Sequence, residues 1–454
     1  MKAQQFYQST SEACIPVTVI SFEDYEAGAH LSEQDGRALS SLQFSAKLGD
    51  VALLLNDQGA LEKVYIGSGD ASDVLAVASG VIKLPAGIYR ITTDISERAI
   101  LAWSFAQYKF DTYQNNCVMP CVLEVEATCL ERVVTQSDAV FTTRDLINMP
   151  PNALNPETLA HTVIELAEVH QAHCQVWVGA ELLEFNYPAV HAVGRASDTE
   201  PRVISMTWGD ESHPRVTLVG KGVCFDSGGL DLKTAAGMRF MKKDMGGAAH
   251  VIGLAKWMMT AKLPIRLHVL IPAVENAVNA DAYRPGDVLI MRDGTSVEID
   301  NTDAEGRLIL ADVLVNACEH GPELLIDFAT LTGAARIAVG TDIAALFSNN
   351  PTLATDIVEQ GLCLEDPIWQ MPLFSGYKYL FESRIADLAN SSPSPYGGAI
   401  TAALFLQHFV NPDIDWLHFD IMAWNVSARP GKPEGGEAMG VLAVGQYLLD
   451  RYQK

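Results

Sequence analysis

Short apolar, β-branched runs alternate with segments of helical spacing along the whole chain, and the pattern changes character near residue 150. In the first part, 16–22 and 51–56 have the composition of strands, 73–84 and 96–110 have helical spacing, and 121–126 returns to a strand. These make a small α/β module over residues 1–135 with no catalytic cluster of its own. A helix over 131–149 ends at Pro150-Pro151, which cannot continue it. Residues 136–150 therefore read as the connection. Beyond it, Asn155-Pro156-Glu157 opens a helix over 158–170. Then 202–207, 216–219, 265–271 and 324–328 are nearly continuous apolar runs, separated by helical segments at 247–260 and 308–319. Gly397-Gly398 opens a helix over 399–409, and the last strand-like piece is 416–422. Strands that are apolar at every position belong to a largely parallel sheet covered on both faces. The expectation is an α/β protein: a smaller N-terminal α/β domain, and a larger catalytic domain over 151–454 with a mixed, largely parallel sheet flanked by helices. In such sheets ligands gather beyond the carboxyl ends of the strands. Lys221 and the Thr330-Leu-Thr-Gly333 loop both fall on that rim.

Composition narrows the picture. The 454 residues suit two or three domains. The formal net charge of −25 speaks against a general binder of nucleic acid or anionic membrane, which needs clustered Lys and Arg. Cysteine supplies no framework: Cys14, Cys117, Cys121, Cys129, Cys174, Cys224, Cys318 and Cys363 contain no CxxC pair. With no second pair nearby, Cys117 and Cys121 read as structural thiols rather than a metal pair. Residues 1–14 have no apolar signal core, and no apolar run approaches the roughly 20 residues that span a bilayer. A soluble protein of the reducing cytoplasm is expected, without a membrane partner. His30, His170 and His173 read as solvated.

The chemistry concentrates between 216 and 307, most tightly in Asn301-Thr-Asp-Ala-Glu-Gly-Arg-Leu308. Carboxylates are rarely buried unless paired or bound to metal. Asp226, Asp244, Asp303 and Glu305 are hard oxygen donors on three segments beside glycine-rich turns, which suggests a cage for two divalent cations and a hydrolytic reaction. No HExxH is present, so a helix-borne single-zinc protease is not expected. Lys221 and Lys233 flank Asp226. One of the two could be a neutral amine ligating metal, with the other a cation polarising a carbonyl, or both could simply pair with Asp226 and Asp231. Arg307 suits a carboxylate or carbonate-like anion, or a salt bridge to Asp300 or Asp312. Gly306 reads as a hinge.

Together with Val219-Gly-Lys-Gly-Val-Cys-Phe-Asp-Ser-Gly-Gly-Leu-Asp-Leu-Lys233, the NTDAEGRL stretch resembles the leucine aminopeptidase (cytosol aminopeptidase) family. The resemblance runs on through Met238-Arg-Phe-Met-Lys-Lys-Asp-Met-Gly-Gly-Ala-Ala249, Asp327-Phe-Ala-Thr-Leu-Thr-Gly-Ala334 and Gly397-Gly-Ala-Ile-Thr-Ala-Ala-Leu404. It covers roughly residue 145 to the C-terminus; the N-terminal domain resembles the family only in size and α/β character. It implies a dimetal exopeptidase acting on peptide or aminoacyl substrates as a homohexamer. Lys221, as a neutral amine, with Asp226, Asp244 and Glu305 would hold one metal; Asp226, Asp303 and Glu305 would hold the other. Zinc or manganese would be the metals, with magnesium able to occupy the looser site. A water bridging the two would attack, Lys233 would stabilise the tetrahedral intermediate, and Arg307 would hold a bicarbonate base. Met241, Thr330, Leu331, Gly333 and Met422 would contact the substrate. Where family members often read Asp-Ile-Ala-Gly, this chain reads Asp420-Ile-Met-Ala-Trp424, so Met422 is expected to reshape the first side-chain pocket. Two competing readings are a two-metal hydrolase of another bond and a non-catalytic DNA-binding scaffold.

Overall fold

The apolar run at 324–328 becomes the strand Leu324–Ala329, buried at all six positions. A strand with no polar face must be covered on both sides, and this one lies inside the larger sheet. In the computed structural model, which describes residues 1–9, 13–114 and 119–453, that sheet has the order Ile368–Gln370, Ala344–Ser348, Asp415–Asp420, Leu324–Ala329, Arg215–Gly220, Arg266–Asn276, Arg202–Trp208, His173–Val178. Its middle four strands are mutually parallel. Antiparallel pairs flank them on either side. The long strand Arg266–Asn276 pairs first with Arg215–Gly220 and then, through its last residues, with Gly222–Asp226. Lys221 is the break between those two partners. Its N–H donates to the Phe328 carbonyl (3.0 Å), and its carbonyl accepts from the Ala248 N–H (2.9 Å).

Helices cover the sheet. Glu305–Glu319 and Pro188–Gly194 share a core cluster with the strands through Leu308, Ile309, Val219, Leu270 and Leu325. The helix Gly246–Thr260 is buried along almost its whole length. Its close seat depends on Gly247, where a Cβ would stand 2.0 Å from the Phe328 carbonyl oxygen.

The chain divides into two compact units, Met1–Phe141 with Ser427–Glu434, and Thr142–Val426 with Gly435–Lys454. The expected boundary at residue 135 lies inside a single 22-residue helix, Ala127–Asn148, and residue 150 lies just beyond its end. The membership of Ser427–Glu434 in the first unit has no counterpart in the sequence reading. That unit holds a six-stranded sheet in the order Tyr7–Gln8, Cys121–Glu124, Gly87–Ile91, Ile15–Ser21, Leu61–Gly69, Val51–Leu55. Only its last pair is antiparallel.

Some elements are shorter than their pattern. The helical spacing at 96–110 yields Glu97–Phe105, and the strand at 416–422 ends at Asp420, leaving Met422 beyond it. Cys117 lies outside the described residues; the other seven cysteines are free thiols. No helix among the described residues is long and apolar enough to cross a membrane.

Two buried histidines tie the second unit to pH. His250 Nδ1–H donates to the Gly246 carbonyl (2.6 Å), and its Nε2 accepts from the Met439 N–H (2.8 Å). Both roles require the neutral ring, and burial pulls its pKa down to about 4. His268, also buried, is pulled down to about 3. A folded pKa below the unfolded one means that the unfolded chain binds the extra proton. The stability these neutral rings contribute is complete above pH 6.5 and is lost as pH falls towards 4. Denaturant unfolding of the second unit should lose about 2 kcal/mol per histidine between pH 7 and pH 5, and His250→Gln should flatten that dependence.

Candidate metal centre and substrate cavity

The acids of the cluster come from three separate segments. Asp226 closes the strand Gly222–Asp226. Asp244 lies in the short 3-10 turn Met241–Met245. Asp303 and Glu305 straddle the start of the helix Glu305–Glu319. The carboxylate oxygens of Asp226, Asp244 and Glu305, all buried, lie within 4.8 Å of one another. Lys221 Nζ is 2.8 Å from Asp244 Oδ2 and 2.9 Å from Glu305 Oε1, and it donates to the Thr330 carbonyl at 3.0 Å. Lys233 Nζ is 2.7 Å from Asp226 Oδ2 and also pairs with Asp303.

Supporting residues hold these groups in place. Asp226 Oδ1 accepts from the Gly228 N–H (2.8 Å) and from Asn276 Nδ2 (2.9 Å). Thr330 Oγ1 donates to Asp244 Oδ1 (2.8 Å). The Asp420 carboxylate takes the N–H groups of Leu331 (3.0 Å) and Thr332 (3.1 Å) and the Thr332 hydroxyl (2.6 Å), fixing the loop after Leu324–Ala329. Asp231 does not pair with either lysine. It accepts from the Thr302 N–H at 2.7 Å and braces the motif turn.

The electrostatics record crowding. Burial, then the nearby Asp226, push Glu305 up to about 8 and Asp303 up to about 6. Burial opposes charge on Lys221, yet Asp244 and Glu305 outweigh it and hold the amine above its usual range. Burial draws Lys243, the neighbour of Asp244, down to about 8.

A cavity of about 380 Å³ opens over the cluster. The residues predicted as ligands, Lys233, and the contact residues Met241, Thr330, Leu331, Gly333 and Met422 all line it. Arg307 does not. It is half-buried on the first turn of the helix, burial draws it down to about 10, and its Nε is a buried donor without a partner. The alternative salt bridges are not made. Asp300 accepts from the Ser391 hydroxyl, and Asp312 takes the N–H groups of Ala189, Val190 and Arg292. Gly306 is not a hinge: it is helical, and its requirement is contact, since a Cβ there would lie 2.5 Å from Lys221 Cε.

Sequence reasoning missed Asn276, Asp420, Lys243 and Arg336. Asn276 and Asp420 are polar residues ending apolar strands, which is a weak but usable signal. Lys243 and Arg336 carry none. The donor set fits divalent cations. Four acids face two lysines, and Glu305 Oε2 is a buried acceptor with no hydrogen-bond partner. Buried acceptors in a net-negative pocket are what hard cations neutralise.

The description "Cytosol aminopeptidase family, catalytic domain" matches residues 141–444, and "M17 aminopeptidase, N-terminal domain" matches residues 15–123. The N-terminal unit is thus closer to the family than size and α/β character alone. A probable cytosol aminopeptidase of Parasynechococcus marenigrum is 41% identical over 332 residues, covering 72% of this chain and 66% of its own length. One from Prochlorococcus marinus strain MIT 9211 is 35% identical over 439 residues, covering 89% of this chain and 88% of its own. The chain spans just under two thirds of several curated relatives, 66%, 64% and 65% of three of them. Among solved structures, the cytosol aminopeptidase from Coxiella burnetii superposes with a TM-score of 0.93 at 42% identity, covering 98% of this chain and 99% of that one. The bottromycin maturation enzyme BotP in complex with Mn gives 0.86 at 32%, covering 97% and 99%. The catalytic-domain match takes in every residue that lines the cavity, and the chain belongs to the cytosol aminopeptidase family.

Proposed function

We propose that the chain is a metal-dependent aminopeptidase that removes N-terminal residues from peptides in the cytoplasm, assembled as a homohexamer. One observation carries this reading: Asp226, Asp244 and Glu305 converge, buried, with Lys221 and Lys233 in a single cavity. Family membership supports it, and BotP in complex with Mn supports manganese as one occupant.

Lys221, Asp226, Asp244 and Glu305 would hold one divalent ion, and Asp226, Asp303 and Glu305 the other, zinc or manganese, with magnesium accepted at the looser site. When bound, the ions supply Lewis acidity to the scissile carbonyl and to water, and an anchor for a free α-amine. The protein's own groups do the rest. Lys233, engaged by Asp226 and Asp303, carries the cation that meets the oxyanion developing on the substrate carbonyl. The Leu331 N–H is spent on Asp420, which leaves its carbonyl to accept from the substrate backbone. Arg307 offers an unpaired guanidinium for bicarbonate, which would take the proton released by water. Met241, Thr330, Gly333 and Met422 wall the space for the first side chain.

Added Mn²⁺ or Zn²⁺ should produce turnover of leucyl and methionyl amides and none of their N-acetylated forms. Equal rates on acetylated substrates, or no metal-dependent turnover of any unblocked one, would discard this reading. Lys233→Ala should lower kcat by about a hundredfold or more with metal content retained, as loss of a transition-state donor does. Gly306→Ala should push the Lys221 side chain off the cluster and weaken Mn²⁺ binding about tenfold by calorimetric titration; unchanged affinity would show that Lys221 does not ligate.

A further inference from the structure

The charged groups of the cavity fall into two sets. The four acids answer Lys221 and Lys233. Two further cations on the cavity wall, Lys243 and Arg336, form no ion pair among the described residues. Lys243 is only 5% exposed, and its ammonium makes no hydrogen bond or ion pair among the described residues. The two carboxylates whose charge reaches it are already engaged: Asp244 by Lys221 and Thr330, and Asp420 by the Leu331–Thr332 turn. Arg336, on the helix Gly333–Val339, is likewise free of any carboxylate among the described residues. Its Nη1 reaches Met422 Sδ at 3.7 Å, and its Nη2 stands 3.3 Å from where a Cβ on Gly333 would be.

Both cations therefore border the space proposed for the first side chain. Arg336 extends from Gly333 to Met422, and Lys243 follows Met241 by two residues on one tight turn. An ammonium on the cavity wall that no carboxylate contacts leaves a place which an anion entering the cavity can fill. The methionines on either side suit a short methylene stem. The geometry points to Lys243 and Arg336 as specificity-determining residues for an acidic first residue, so that peptides beginning with Glu or Asp are the preferred substrates. The inference rests on the aminopeptidase reading and sharpens it. The same two cations could instead take the free carboxylate at the far end of a dipeptide; their placement beside Met241, Gly333 and Met422 favours the first side chain.

The test compares kcat/KM of the Mn²⁺-loaded full chain on glutamyl, glutaminyl and leucyl p-nitroanilides. Glu and Gln are nearly the same shape and differ in charge and in one acceptor oxygen replaced by an amide donor, so the wild-type ratio reads the cations without a variant. Glu should exceed Gln by about tenfold or more, the effect of one charge-assisted hydrogen bond. Lys243→Met should cancel that ratio, chiefly through KM, and the exposed Arg336→Gln should reduce it by a smaller factor. A Gln rate equal to or above the Glu rate overturns the inference, as does a ratio untouched by both variants. A preference for leucyl-glycine over leucyl-glycinamide without Glu over Gln assigns the cations to the far carboxylate and also overturns it. Turnover of leucyl anilide with no acidic preference sinks this inference alone. No turnover of any unblocked substrate sinks the aminopeptidase reading and this inference together.

Discussion

Four carboxylates held side by side, three of them fully buried, are the constraint that the rest of the catalytic unit answers. An ionised carboxylate out of water is strongly disfavoured unless it is paired or bound to a cation. Burial, and after it repulsion from Asp226, pushes Glu305 and Asp303 towards neutrality. Lys221 and Lys233 offset only half of the formal negative charge. Gly228, Asn276 and Thr330 donate to Asp226 and Asp244, but Glu305 Oε2 has no donor among the described residues. A fold that gathers such a cluster is incomplete without added positive charge, and two divalent ions would invert the local balance and free both lysines for other work.

Keeping such groups in register needs a rigid frame, and the parallel sheet supplies it. Lys221, Asp226, Thr330 and Asp420 sit where the strands Arg215–Gly220, Gly222–Asp226, Leu324–Ala329 and Asp415–Asp420 end, so small errors in one loop are not passed to the next. Backbone closeness matters as much as side chains. Gly247 lets a buried helix approach the Phe328 carbonyl, and the N–H of Lys221 binds that same oxygen. Gly306 leaves room for the Lys221 stem. Behind the sheet, Asp327 accepts from Trp416 Nε1 (2.7 Å) and pairs with His418 (2.5 Å), which locks the strand that ends in Asp420 to its neighbour.

Much of this was legible before any coordinates. The apolar strands at 202–207, 216–219, 265–271 and 324–328 announced themselves because interior parallel strands have no polar face to blur them. The convergence of these acids and lysines is legible because acids, lysines and glycines crowd into two short motifs. Less visible were Leu61–Gly69, Gly87–Ile91 and Gly222–Asp226, whose glycines and mixed polarity hide the strand pattern. The return of Ser427–Glu434 to the first unit depends on tertiary contacts alone. Gly306 looked like a hinge because glycine's two uses, positive φ and close approach, are the same letter in a sequence. Lys243 carries no signal of its own in the sequence, where it is one of two adjacent lysines in Met-Lys-Lys-Asp. Its neighbour Lys242 is a half-buried amine that donates to the Asn148 carbonyl at 2.7 Å.

That contrast between adjacent lysines bears on what the cavity is for. On a 3-10 turn, consecutive side chains point in very different directions, so Lys242 and Lys243 cannot share one environment. One finds a carbonyl; the other is turned towards the cavity wall, beside two carboxylates already bound by other donors. If Lys243 served only to balance the acidic cluster, it would pair with Asp244, as Lys221 does. It does not, although it is covalently next to that residue. Its charge is therefore not spent in an ion pair with the cluster, and it lines the cavity that a ligand would enter. The cavity thus presents two opposite electrostatic faces, an acidic floor suited to cations and a basic wall suited to an anion, and a substrate with a free amine at one end and a carboxylate close by satisfies both at once.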